Sequence, residues 1–387
     1  MNRRARRVGV AGGIVGLAAV VVAISATSAM ASPQLAMLAS RPTTSTTSVD
    51  VVASGLSNPR ELTFGPGGVL YVAESGRGGD GPCFTDPNEE HVQNCFGRTG
   101  SVTAVYGGRQ WRVVTGLPSV ARAGGQGANG LTDITFNRYG LMFGVFGLGG
   151  PPQVRDGLGS HASALASISW LVPGVGAVKV ADLGQYEATQ NPDGRQLDTN
   201  PYSLAATGDS LVAVDAAGND VVRMDATGAL STVSALPWHT VPVPFPPGTI
   251  EEEPVPTTIT VGPDGAYYVG EFPGFPFAVS GARVVRVDSS GQVTEVASGL
   301  TNIIDIAFDQ QGRMLVLEFV KGSVLDALFG GDATAALIRV EQDGTQTELI
   351  PGRLTFASGL TVGPDGSIYV TNQSISPDSG EVLRVRA

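Results

Sequence analysis

Acidic side chains recur at two fixed positions in this chain. Six segments, 62–74, 134–146, 204–215, 259–271, 306–318 and 360–372, each read as a short apolar strand, a tight turn and a second apolar strand. In chain order, the residue just before each segment is Glu61, Asp133, Ser203, Thr258, Asp305 and Gly359. The residue that ends each is Glu74, Phe146, Asp215, Glu271, Glu318 and Asn372. Seven carboxylates fill these twelve slots in a chain whose 35 acids are spread over 387 residues, where chance alone would place about one. Grouped carboxylates can give hard oxygen ligands to a divalent cation, with Ca²⁺ first in line because histidines are few. The alternative is that each caps backbone N–H groups or pairs with an arginine, for which Arg60, Arg77 and Arg195 are candidates. Neutral oxygens stand close by: Asn58, Asn129, Asn200 and Asn302 each lie within a few residues of an innermost strand. The candidate metal set is therefore Glu61, Asn129, Asp133, Asn200, Asn302 and Asp305. Glu74, Asp215, Glu271, Glu318 and Asn372 are expected around the same mouth. Short polar motifs at strand starts also arise from turn chemistry. Nucleophile chemistry has little to work with, since there is no G-x-S-x-G elbow and no H-E-x-x-H pair. His91, His161 and His239 are far apart in sequence and read as loop residues, a general base being the alternative.

The elements that must position these residues repeat with them. Each copy continues into a third strand, where Arg223, Arg286, Arg339 and Arg384 recur in alternation with apolar residues. A short turn then leads to a fourth strand. Six such units at a spacing of some tens of residues predict an all-β fold, a six-bladed β-propeller with four-stranded antiparallel blades. The last unit runs out of chain before its fourth strand. The segment 49–56, VDVVASGL, parallels 293–300, VTEVASGL, so the N-terminal strand is expected to close the last blade and leave no free edge. Nearly all long insertions fall in the connections from second to third strand and from fourth strand to the next unit. Those connections share one face of the disc, which makes that loop-rich face the expected place of function.

Residues 1–31 read as a secretory signal peptide: Arg3, Arg4, Arg6 and Arg7, then an apolar run, then Ala29-Met30-Ala31 as cleavage site. An uncleaved membrane anchor and twin-arginine export are the alternatives. Residues 32–48, rich in Ser, Thr and Pro, read as a flexible tether, and 49–387 as one domain. Cleavage removes four of 24 basic residues and no acid, leaving 20 against 35. That balance argues against nucleic acid and anionic membrane surfaces, and no membrane span is expected after cleavage. In an exported protein the two cysteines, Cys83 and Cys95, are expected to form a disulfide; zinc bound with His91 is the alternative.

Two resemblances add to this. The stretch from 51 to 100 resembles the ScyD/ScyE family. It carries a G-L-x-N-P-R-x-L-x-F-G-P-G-G-x-L-Y-V-A-E strand pair at 55–74, G-R-G-G-D-G-P-C at 76–83 and a second cysteine at 95. That likeness implies an exported propeller and no defined reaction. Asn129-Gly130-Leu131 is similar to a ligand segment of the SMP-30/gluconolactonase/paraoxonase propellers, which hold Ca²⁺ or another divalent ion and hydrolyse lactones and esters. By that likeness Glu61, Asn129, Asn200 and Asp305 or Asn302 would be the ligands. The expectation is a secreted, monomeric propeller that binds a small molecule or protein partner on its loop-rich face. The alternative is a divalent-metal-dependent lactone or ester hydrolase.

Overall fold

The computed structural model describes residues 47–386, apart from 88, 90, 245 and 246. The segment 1–31 and the tether up to residue 46 lie outside the described residues.

The chain is mostly β, and its sheets are antiparallel and built from the six sequence copies. The third copy forms a four-stranded sheet in the order Pro201–Thr207, Ser210–Asp215, Asp220–Met224, Leu230–Ala235. The fourth repeats this with Pro256–Val261, Tyr267–Glu271, Ala282–Val287 and Val293–Leu300. In the last sheet Leu360–Val362, Ile368–Asn372 and Gly380–Arg386 are followed by Ser48–Leu56 from the other end of the chain. Its outer position is the one that Val293–Leu300 holds in the fourth copy, in line with the shared V-A-S-G-L.

The first two copies depart from separate four-stranded units. Gln93–Tyr106 and Arg109–Ala121 are far longer than one blade needs, and they run on through three register shifts. At their far end Ser119 and Val120 pair with Gly130 and Asn129, which joins both copies in one sheet. The approach is close enough that a Cβ at Gly130 would lie 2.7 Å from the Pro118 carbonyl oxygen. The 75–100 insertion is not an open loop. Cys83–Thr85 pairs with Gln93–Cys95 in register, and the Cys83–Cys95 disulfide spans that short ladder. A Cβ at Gly76, Gly78 or Gly79 would lie 2.5 Å from the Gly100 nitrogen, 2.6 Å from the Cys95 carbonyl oxygen or 2.8 Å from the Gly97 Cα, which explains the glycines of the G-R-G-G motif. Because the bridge closes only a local loop, reducing it should speed hydrogen exchange over 78–97 and leave the inner strands protected. Exchange that accelerates across all six copies would contradict this.

Neighbouring copies meet through aromatic pairs. Phe64 packs against Tyr369 at 5.1 Å, Tyr71 against Phe136 at 5.0 Å and Tyr268 against Phe308 at 5.0 Å between ring centroids. The first of these ties the last copy to the first. Each partner stands at the turn end of an inner or second strand, so the contacts seal the seams around the innermost strands.

Candidate functional site: an acidic floor in the axial cavity

The innermost strands of all six copies surround a cavity of about 280 Å³. Five of them begin with a register shift that gives the inner strand one extra residue, at 60–61, 132–133, 202–203, 257–258 and 304–305. A bulge re-aims the side chain that follows it. Here it turns Glu61, Asp133, Ser203 and Asp305 inward to line the cavity. Alternation along the strands then places Thr63, Thr135, Thr260 and Thr361 on the walls.

Hydrogen bonds cross from copy to copy at this level. Asp133 Oδ2 accepts from the Leu204 N–H at 2.7 Å and from Ser203 Oγ at 2.9 Å. Ser203 Oγ accepts in turn from the Ile259 N–H at 3.2 Å. Asp305 Oδ1 accepts from Thr258 Oγ1 at 2.7 Å, and its Oδ2 accepts from the Leu360 N–H at 2.6 Å. Glu61 is different, because its Oε1 is buried and has no partner. Burial and the neighbouring Asp305 and Asp133 hold the Glu61 carboxyl well above the ordinary carboxylate range. Asp133 is pushed up to about 7, first by burial, against the pull of its N–H donors. Asp305 is also raised by burial, while its bond to Glu61 pulls it back. Burial and these neighbours favour the protonated form of Glu61 beside Asp305, and Glu61 Oε1 is a buried acceptor without a partner at the cavity floor.

The cavity does not open where sequence reasoning put the site. On the loop side of the acids, Tyr202 crosses the axis toward Ser358 and comes near Arg60, Glu61 and Asp305. It is buried in a cluster with Phe272, Phe319 and partly buried Phe356. On the other side the threonine walls are only half-buried. The acidic ring is thus the floor of a cavity that opens toward the short-hairpin face, closed off from the loop-rich face by an aromatic roof. The bulge that turned the carboxylates inward also placed Tyr202 over them, which alternation alone does not predict.

The second register serves the backbone. Glu74 Oε2 accepts from the Ser57 N–H at 2.7 Å, Asp215 Oδ1 from the Asn200 N–H at 2.6 Å, Glu318 Oε1 from the Thr301 N–H at 2.7 Å, and Asn372 Oδ1 from the Thr355 N–H at 2.7 Å. Each thereby caps the segment that enters the inner strand of its own copy. Glu74 also accepts from Ser101 and Thr103 and pairs with Arg112 at 2.9 Å. Glu271 meets His239 Nε2 at 2.9 Å. The arginines expected as partners go elsewhere: Arg60 to the Ala128 carbonyl, Arg77 to Asp378 and Arg195 to Glu251. His91 and His161 have no part in the cavity lining.

The asparagines clamp loops. Asn58 donates to the Gly76 and Gly125 carbonyls, Asn129 to the Leu148 carbonyl, and Asn302 to the Val320 and Gly322 carbonyls. Asn58 and Asn302 sit at φ 47° and 46°, in the left-handed region that asparagine tolerates. The Oδ1 atoms of Asn129, Asn200 and Asn302 are buried without partners, yet none of these residues lines the axial cavity. Of the six candidate ligands Glu61, Asp133 and Asp305 line the axial cavity together, and the three asparagines are not part of that lining. Among the described residues no group of three or more His, Cys, Asp or Glu is arranged to hold a metal ion. Of the donor set that the resemblance implied, Glu61, Asn129, Asn200 and Asn302 each keep one buried oxygen without a partner, Asp305 accepts on both oxygens, and the three asparagines do not line the cavity that Glu61 and Asp305 share.

No family model and no curated protein matches the chain. Solved structures do. A Bacteroides thetaiotaomicron protein of unknown function is 9% identical, with a TM-score of 0.53 over 88% of this chain and 75% of that one. A protein assigned as a gluconolactonase is 11% identical, with a TM-score of 0.50 over 88% and 92%. A calcium-binding protein, regucalcin, from Agrobacterium tumefaciens is 11% identical, with a TM-score of 0.48 over 87% and 94%. The first two likenesses establish a propeller-type all-β fold. Among the described residues no helix is long and apolar enough to cross a membrane.

Proposed function

We propose that the chain is an exported six-bladed β-propeller, formed by residues 49–387 and closed by its N-terminal strand, that binds a small cationic ligand in the axial cavity. The resemblance of 55–100 to the ScyD/ScyE family and the Cys83–Cys95 bridge support export. The observation that carries the ligand class is the Glu61 Oε1 atom: a buried acceptor without a partner, among three carboxylates that no arginine or lysine pairs with among the described residues. A protonated primary amine matches this floor. Its ammonium donates to Glu61 Oε1, offsets the carboxylate charge, and leaves the rest of a small molecule against the threonine walls. A lactone or ester hydrolase would need a metal on the ring, and no step is assigned to one.

Because burial raises both Glu61 and Asp133, the latter to about 7, an ammonium ligand that favours their ionised forms competes with protons. Calorimetric titration with methylammonium, ethanolamine and putrescine should show one site whose affinity rises between pH 6 and pH 8. Ala205→Trp, which fills the cavity from its wall, should abolish it. Binding that is absent for all three amines, or that survives the filled cavity, would remove this reading.

A further inference from the structure

The seam between the first and second copies is built differently from the later ones. In the fourth, fifth and sixth copies the second strand carries Tyr268, Leu315 and Tyr369 opposite an arginine of the third strand, Arg286, Arg339 and Arg384. Arg286 pairs with Asp264, in the first turn of its own copy, at 2.7 Å. Arg384 likewise pairs with Asp365 and lies over the Tyr369 ring at 5.8 Å. The first copy lacks both members of this ion pair. Opposite Tyr71 stands Ala104. The turn that reads G-P-D-G at 262–265 and 363–366 reads G-P-G-G at 65–68, with Gly67 in the place of the aspartate. In the second copy the arginine position is Trp170, opposite Phe143.

The cleft at this seam differs accordingly. Between the fifth and sixth copies a cleft of about 180 Å³ is filled out with polar side chains, among them Asp309, Gln311, Arg313 and Arg339. Between the first and second copies the cleft is about 290 Å³. Tyr71 and Val113 form one wall, and Phe136, Leu141, Met142 and Leu171 the other. No acidic or basic side chain is in its lining among the described residues. The Tyr71 and Phe136 rings meet at 5.0 Å with a tilt of 55°. Leu141 and Trp170, also in the lining, are 41% and 38% exposed, large apolar side chains left to solvent at the short-hairpin face. The cleft shares no lining residue with the axial cavity.

We infer that this cleft binds an uncharged aromatic molecule of one or two rings. Loss of the arginine alone would leave a site for a cation, and loss of the aspartate alone a site for an anion. Here both are gone together, so a charged guest of either sign would be desolvated against apolar walls without a partner. The volume lies near the lower end of small-molecule sites, about 300 Å³, and has room for two fused rings. The tilted Tyr71–Phe136 pair offers ring faces and edges to an aromatic guest, which prefers offset or edge-on contact.

Titration of the full chain with prodan, an uncharged naphthalene whose emission shifts to the blue in apolar surroundings, tests this. One site is expected, from which indole and naphthalene displace the probe. Naphthalene-2-sulfonate should compete at least about tenfold more weakly than naphthalene, because its charge must be desolvated, and putrescine should not compete. Ala104→Arg, which restores the residue of the later copies, should weaken prodan by at least about tenfold. Ala104 is buried, so Leu141→Glu, at the exposed lip, supplies a second variant that should weaken prodan and keep the fold. The inference is overturned if prodan, indole and naphthalene all fail to bind, or if both variants bind prodan as the parent does. It is overturned if Ala205→Trp removes prodan binding while Leu141→Glu retains it, which would put the probe on the axis. Sedimentation that shows a dimer dissociated by Leu141→Glu would also overturn it, making the cleft a contact between two copies of the chain.

Discussion

Protein that begins at Ser57 should melt roughly 10 °C or more below the full chain and aggregate on heating. The missing strand, Ser48–Leu56, pairs with Gly380–Arg386 from Ser48 opposite Arg386 to Leu56 opposite Gly380. Without it that strand becomes a long unpaired edge, open to pairing with another chain. The loss also reaches inside. Ala53 and Leu56 pack in one buried cluster with Leu62, Leu70, Val72, Val105 and Val382, residues of the first and last copies. A fully buried leucine contributes about 1.5–3 kcal/mol, and five apolar partners lose cover with it. The removed segment's own ordering entropy offsets part of this, which is why the size of the shift matters. Melting within about 2 °C of the parent would mean that the terminal strand is an ornament on an already complete disc.

Much of this architecture is legible in residue pattern. The six copies, their short Gly turns and the V-A-S-G-L shared by residues 52–56 and 296–300 carry period-2 alternation and turn chemistry, which are local. The acids before the inner strands are legible as a recurrent position for the same reason. Their surroundings are not. Whether Glu61 faces the axis or a seam depends on a bulge of one residue, and one residue of slip reverses a strand's faces. The aromatic roof has no sequence signal, since Tyr202, Phe272, Phe319 and Phe356 meet only after four copies are assembled. Arg112, the partner of Glu74, comes from a fourth strand, outside the arginine pattern of the third strands.

Glu61→Gln should stabilise the protein at pH 8 and leave it unchanged at pH 5, measured in chelator. Burial and Asp305 raise the Glu61 carboxyl well above its ordinary value. A carboxyl whose folded pKa is raised contributes stability that is complete below its unfolded value and is lost as pH rises through the folded one. Asp133 and Glu318, each pushed to about 7, and Glu187, pushed to about 8, act in the same direction. Each unit of such a shift corresponds to about 1.4 kcal/mol. Glu74 and Asp182 are shifted the other way, so their contribution changes only below the ordinary carboxylate range and is flat from pH 5 to 8. The parent should therefore melt at falling temperature from pH 5 to pH 8. Glutamine keeps a donor for the Asp305 carboxylate and an acceptor for the cavity, and it has no proton to lose. Its melting curve should lose the part of the fall that belongs to Glu61, crossing above the parent as pH rises. A ring built to hold a metal would differ once the ion is added, because Glu61→Gln would then remove a ligand charge and blunt the rise in melting temperature that the ion brings. If Glu61→Gln lowers the melting temperature equally at pH 5 and pH 8, the protonated Glu61–Asp305 pair is not what the axis contains.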